Sequence, residues 1–132
     1  MPKGILRDSG FTHYLAAIDS REALLRSPQV GHNFESFIIE EIIKGIQATE
    51  ITRWDYYYFR TKNGAEVDLI LEGSFGLLPI EIKFGHQTKL KQLTSLQQFV
   101  KLHELPLGIV VNNSNEVKML TDKIIQIPAG CL

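Results

Sequence analysis

Apolar residues recur along this chain with two different periods. In the stretch of about His32–Gln47, Ile38, Ile39, Ile42, Ile43 and Ile46 follow an i, i+1, i+4, i+5, i+8 pattern, which is one buried stripe of an amphipathic helix. A second helical segment is predicted over about Lys89–His103, with Leu90, Leu93, Leu96, Phe99 and Val100 on its inner side and Thr88 as its cap. Between the two the pattern becomes that of strands. Arg53–Thr61 is rich in aromatic β-formers. Asn63-Gly64 is a strong hairpin signal. Strands over 65–72 and 77–84 follow, joined by a short turn from Gly73 to Gly76. Leu107–Val111 reads as a buried strand, Asn112–Asn115 as a turn, and Val117–Leu120 and Ile124–Ile127 as two short strands. Upstream, short helices are predicted over Phe11–Ile18 and Ser20–Arg26, the second capped by Ser20 and stopped by Ser27-Pro28. Helices interrupt the sheet in sequence and therefore cover both of its faces. The expectation is a single α/β domain over 1–132, with a helical N-terminal extension over 1–30 and a core over 31–132.

A few charges violate this pattern. The strand over 65–72 carries a lone Asp68, and the next carries Glu81-Ile-Lys83. An apolar strand tolerates an uncompensated charge poorly. With the turn at Gly73–Gly76, Glu72 stands opposite Leu77, Asp68 opposite Glu81, and Glu66 opposite Lys83. Alternation along the strands then puts Asp68, Glu81 and Lys83 on one face. Two facing carboxylates repel, and a divalent cation such as Mg2+ or Mn2+ converts the repulsion into coordination. Extending the stripe of the first long helix backwards reaches Glu35, the one carboxylate on its buried face, whereas Glu40 and Glu41 fall on or near the opposite side. Glu35 in the first turn wants either the helix N-terminus or a cation.

Composition narrows the function classes. The formal net charge of −1 supplies no global basic field, so any contact with nucleic acid must come from a local patch. Lys89, Lys91 and Gln92 follow Lys83 closely and, with His86 in the connecting loop, form the candidate patch for a phosphate backbone. The single Cys131 excludes an internal disulfide framework and suits a reducing, cytoplasmic setting. No stretch has the length of a membrane span, and no phosphate-binding loop of a P-loop ATPase is present. Taken singly, Asp68, Glu81 and Lys83 read as a structural charge cluster and the lysines as a solvated helix face. Their coincidence on adjacent strands favours a site.

The order Glu35, Asp68, Glu81-x-Lys83 on helix, strand and strand resembles the PD-(D/E)-x-K nuclease superfamily. More closely, the chain resembles a domain of unknown function carried C-terminal to the ATPase module in archaeal and bacterial AAA+-type ATPases. The shared wording is Asp8-Ser-Gly-Phe-Thr-His-Tyr-Leu15, Gly31-His-Asn-Phe-Glu35, Tyr58-Phe-Arg-Thr61, Gly64-Ala-Glu-Val-Asp68 and Pro79-Ile-Glu81-Ile-Lys83. The resemblance implies a restriction-endonuclease-like fold, a central mixed β-sheet flanked by α-helices. It implies that Asp68 and Glu81 bind a divalent metal with help from Glu35, and that Lys83 positions or activates a water. Position 67 is Val where the superfamily has Pro, and the ATPase module usually found upstream is not in this sequence. The functional expectation is a metal-dependent nuclease acting weakly on DNA, with an AAA+-type ATPase in cis or trans. The alternatives are an inactive docking or nucleic-acid-binding module, and an assembly domain that self-associates through its edge strand or aromatic surface.

Overall fold

The computed structural model describes residues 20–132; the helix expected over Phe11–Ile18 lies outside them. Helix α1 spans Arg21–Arg26, and the Ser20 hydroxyl accepts the Ala23 N–H at 3.1 Å, as an N-cap should. Helix α2 spans Val30–Gln47, beginning two residues earlier than the periodicity suggests. Strands β1 (Asp55–Arg60), β2 (Glu66–Gly73) and β3 (Gly76–Ile82) form the expected meander. The second helical segment divides in two: a 3-10 turn over Leu90–Leu93 leads into α3, Thr94–Leu102. Thr88 caps neither piece. Its hydroxyl accepts a hydrogen bond from Asn112, while Lys89 occupies the cap position of the turn. Strands β4 (Gly108–Asn112), β5 (Lys118–Met119) and β6 (Ile124–Pro128) complete the chain.

The six strands form one mixed sheet in the order β1-β2-β3-β4-β6-β5. β1, β2 and β3 are antiparallel neighbours, β3, β4 and β6 are parallel, and β5 runs antiparallel to β6 at the far edge. Helices cover both faces. Ile38, Ile39 and Ile43 of α2 pack on Leu69, Leu71, Ile80, Ile82 and Val111. Leu96, Phe99 and Val100 of α3 pack on the other face against Val67, Ile70, Val110 and Ile124. Two expectations fail at the helices. Leu90 sits on the 3-10 turn rather than the α3 stripe and is 45% exposed. Glu40 is buried, on the side of α2 away from the isoleucine stripe, with the Lys44 ammonium 3.8 Å away.

The β2–β3 register is the expected one. Gly73 pairs with Gly76 and Glu72 with Leu77, and the ladder continues to Leu69 and Ile80. Gly76 takes φ +86°, which a turn of this tightness requires and a side chain would oppose. Alternation along β2 does not hold, because the strand contains a bulge. Between the pairs Tyr57–Ile70 and Phe59–Val67, β1 contributes Tyr58 alone and β2 contributes both Asp68 and Leu69. Val67 and Ile70, three positions apart, consequently join the same core cluster beneath α3.

Gly108 lets α3 lie close to the sheet. A Cβ there would stand 2.9 Å from Val100 Cγ2, 3.0 Å from Ile124 Cδ1 and 3.2 Å from Leu96 Cδ1. Gly108→Ala is expected to destabilise the fold by about 1–3 kcal/mol, read as a lower urea midpoint at unchanged m-value.

Candidate functional site

The β2–β3 backbone ladder stops at Leu69–Ile80, one step short of the Asp68–Glu81 pairing that its register predicts. Beyond that point the strands part company. The Ile82 N–H donates to Asp68 Oδ2 at 2.7 Å, and the Lys83 N–H donates to the Val111 carbonyl of β4 at 2.9 Å. The bulge releases Asp68 from the regular pleat, and its carboxylate replaces a backbone acceptor. Glu81 is cross-strand partner to Val110 and is buried. Lys83, two residues on, donates from Nζ to Glu81 Oε1 at 2.6 Å. Glu81 Oε2 is buried with no hydrogen-bond partner, an arrangement that costs free energy unless a cation or donor occupies it.

Electrostatics ties the cluster together. Burial, then the charges of Glu81 and Glu35, push the Asp68 carboxyl up to about 7 against the pull of the Ile82 N–H and Lys83. Burial likewise raises Glu81; the Lys83 hydrogen bond and charge oppose the rise, while Glu66 and Glu35 add to it. Burial works to lower Lys83, but its hydrogen bond to Glu81 and the charges of Glu81, Asp68 and Glu35 outweigh this and leave it above an ordinary lysine. Lys83 is therefore a fixed ammonium, suited to stabilising negative charge rather than to accepting a proton. Glu35 acts from α2, where it is the sixth residue and not in the first turn as expected, because the helix begins at Val30. That part of α2 is held near the end of β3 by an edge-to-face contact of Phe34 with Phe84 at 5.4 Å.

The four predicted site residues thus share one electrostatic neighbourhood, brought there by a bulge and a splayed hairpin rather than by simple alternation. Glu66 belongs to it as well. It is half-buried rather than a solvated strand charge, accepts the Tyr58 hydroxyl at 2.7 Å, and lies 4.0 Å from Arg60 Nε. Among the described residues, no three His, Cys, Asp or Glu side chains are gathered closely enough to enclose a metal. Magnesium asks for less: it keeps several waters and is commonly held by one or two carboxylates. The unpartnered Glu81 oxygen beside Asp68 fits that demand.

The predicted phosphate-contacting residues divide. His86 and Lys89 line a cleft of about 630 Å³ whose walls include none of Glu35, Asp68, Glu81 and Lys83. Lys91 is exposed on the 3-10 turn, and Gln92 folds back to accept the Lys89 N–H at 2.8 Å. The sequence reading missed Asn112 and Gln126, which are buried and hydrogen-bonded to each other at 3.0 Å. The available signal was an amide ending or interrupting an apolar strand, Gly-Ile-Val-Val-Asn112 and Ile-Ile-Gln126-Ile.

A family model described as "Domain of unknown function (DUF4143)" matches residues 30–132. The uncharacterized proteins Rv2008c of Mycobacterium tuberculosis and Mb2031c of Mycobacterium bovis are each 31% identical over 128 residues. The match covers 97% of this chain but only 27% of each relative's length.

The raised Asp68 carboxyl has a definite consequence for stability. An unfolded Asp ionises near about 3.9, and folded Asp68 near about 7. Between those values the folded protein holds a proton that the unfolded chain has released, so this group lowers stability as pH rises from about 4 to about 7, and the loss persists above. In metal-free buffer, Asp68→Asn is expected to match or exceed wild-type stability at about pH 8, by up to roughly 1–3 kcal/mol, with the difference shrinking toward about pH 4. Urea unfolding in EDTA measures it. A clear loss at the higher pH would identify ionised Asp68 as a net stabilising partner of Ile82.

Proposed function

The chain belongs to the DUF4143 family, which its residues 30–132 match, and from that premise we propose a metal-dependent nuclease-like domain of restriction-endonuclease-like fold that acts on or binds DNA. The observation that carries the reading is the Asp68/Glu81 pair: two buried carboxylates at the parting of β2 and β3, one oxygen of Glu81 unpartnered, and a lysine ammonium 2.6 Å from the other. Asp68 and Glu81 are the residues that would hold Mg2+ or Mn2+. A divalent ion bound there would polarise a phosphoryl oxygen and acidify a water. Lys83 supplies a fixed positive charge where negative charge develops in cleavage. Glu35 adds negative potential that favours cation capture. The matched segment is only part of each mycobacterial relative, which leaves room for a further module in those chains; an AAA+-type ATPase in cis or trans is the proposed partner.

A second reading has its own support. The Lys83–Glu81 ion pair already compensates one carboxylate internally, as a docking module that had kept the charges as a structural network would require. Metal binding separates the two. For the nuclease reading, Mg2+ or Mn2+ raises the melting temperature of the wild type and not of Asp68→Asn, with a gain of about 2.7 kcal/mol at a hundredfold excess over Kd. For the docking reading the melt is indifferent to metal.

With Mn2+ or Mg2+ the protein is expected to nick DNA slowly. Lys83→Ala is expected to reduce nicking by at least about a hundredfold while keeping the wild-type circular dichroism spectrum. An absence of cleavage of duplex, single-stranded, branched and RNA substrates, together with an absence of metal binding, would leave the docking reading in possession.

A further inference from the structure

On the face of the sheet under α3, polar side chains collect at one end. β3 passes from Leu77 and Pro79 to Glu81, β4 from Gly108 and Val110 to Asn112, and β6 from Ile124 to Gln126. These three strands are parallel, so the polar end is their carboxyl end, where open α/β sheets bind ligands. The register aligns one row across these strands, in which apolar Val110 stands between Glu81 and Gln126, and Asn112 lies two residues beyond Val110, opposite Pro128. Glu81 pairs with Val110, Val110 with Gln126, and Gln126 with Lys118 of β5. At the usual strand spacing Gln126 lies about 10 Å from Glu81 across the sheet, and Lys118 about 5 Å further.

The far half of this row opens into the cleft of about 630 Å³. One wall is the loop after β3, with His86, Thr88 and Lys89; the other is Ser114 to Lys118. Its floor is pre-organised. Buried Asn112 donates to the Thr88 hydroxyl at 2.8 Å and to Gln126 at 3.0 Å, and Gln126 donates to the Glu116 carbonyl at 3.2 Å. His86 Nδ1 lies 2.6 Å from the Asn113 carbonyl. A carbonyl can only accept, so Nδ1 carries the proton and Nε2 is the ring atom left for a ligand. Two lysines, one from each wall, face a single lining carboxylate, Glu116.

We infer that this cleft holds the sugar-phosphate backbone of one nucleic-acid strand as it runs from the Asp68/Glu81 pair toward β5; the inference rests on the nuclease reading of that pair. Cationic walls with hydroxyl and amide groups suit a phosphodiester. The volume is that of a pocket for nucleotide-sized ligands rather than of a groove for a duplex. No Phe, Tyr or Trp is among the lining residues, so bases find no stacking platform and the grip is independent of sequence.

Fluorescence anisotropy with a labelled oligothymidylate, in EDTA and at several salt concentrations, tests this without cleavage. Two phosphate contacts on a single strand give a slope of log K against log salt of about −1.4 from the cleft. Lys89→Ala and Lys118→Ala are each expected to flatten the slope by about 0.7, and the double variant by both. Both side chains are exposed, so the fold is kept. Lys123→Ala removes an equal charge from a separate cleft and leaves the slope unchanged. An unchanged slope in the double variant overturns the inference. So does equal, lysine-dependent binding of a duplex, or displacement of the oligonucleotide by inorganic phosphate at equal phosphate concentration. Lysine-dependent strand binding in a protein that ignores Mg2+ and Mn2+ upholds the cleft and removes only the nuclease reading.

Discussion

One hydrogen bond governs the centre of this molecule: the Ile82 N–H donating to the Asp68 carboxylate. β3 must leave β2 in order to continue toward β4, and at the point of departure a buried backbone donor loses its partner in the ladder. An unpaired donor there costs on the order of 1–3 kcal/mol. The carboxylate removes that cost at the expense of burying a charge, which shows in its raised pKa. Glu81 and Lys83 then fall beside it because they occupy the next positions on the same departing strand.

The sheet joins two architectures at β3, which is antiparallel to one neighbour and parallel to the other. The antiparallel half supplies a hairpin that can splay. The parallel half supplies strand ends with polar side chains on one face, Glu81 and Gln126 level with Val110 and Asn112 two residues beyond it. Neither half alone would carry both the carboxylate pair and the polar cleft on one sheet. The apolar clusters on the two faces hold the halves rigidly together, one through α2 and one through α3.

Much of this was legible in the sequence, because hydrophobic periodicity and turn chemistry are local. The α2 stripe, the three-strand meander, the Gly73–Gly76 register and the helices on both faces all follow from patterns a few residues long. What was not legible depends on contacts between elements. The bulge at Asp68 exists only relative to Tyr58 on another strand. Glu40 is buried although its helical position predicts exposure. Thr88 looks like a helix cap until Asn112, 24 residues away, takes its hydroxyl. The candidate residues Glu35, Asp68, Glu81 and Lys83 stood out because charge within apolar runs is anomalous. Asn112 and Gln126 escaped because a neutral amide in a strand draws less notice than a carboxylate.

The bulge also bears on how this sheet avoids joining others. An exposed strand edge is a template for pairing with another chain. β5 is blunted by being two residues long. β1 is six residues long and carries exposed Tyr56 and Tyr57 on the outer edge. A bulge in the strand behind it increases local twist, and a twisted edge is a poor template for a flat partner. The irregularity that frees Asp68 thus lies directly behind β1, the longer edge strand among the described residues. Straightening β2 by deleting one residue would disturb the carboxylate pair and flatten that edge together, coupling loss of the site to aggregation.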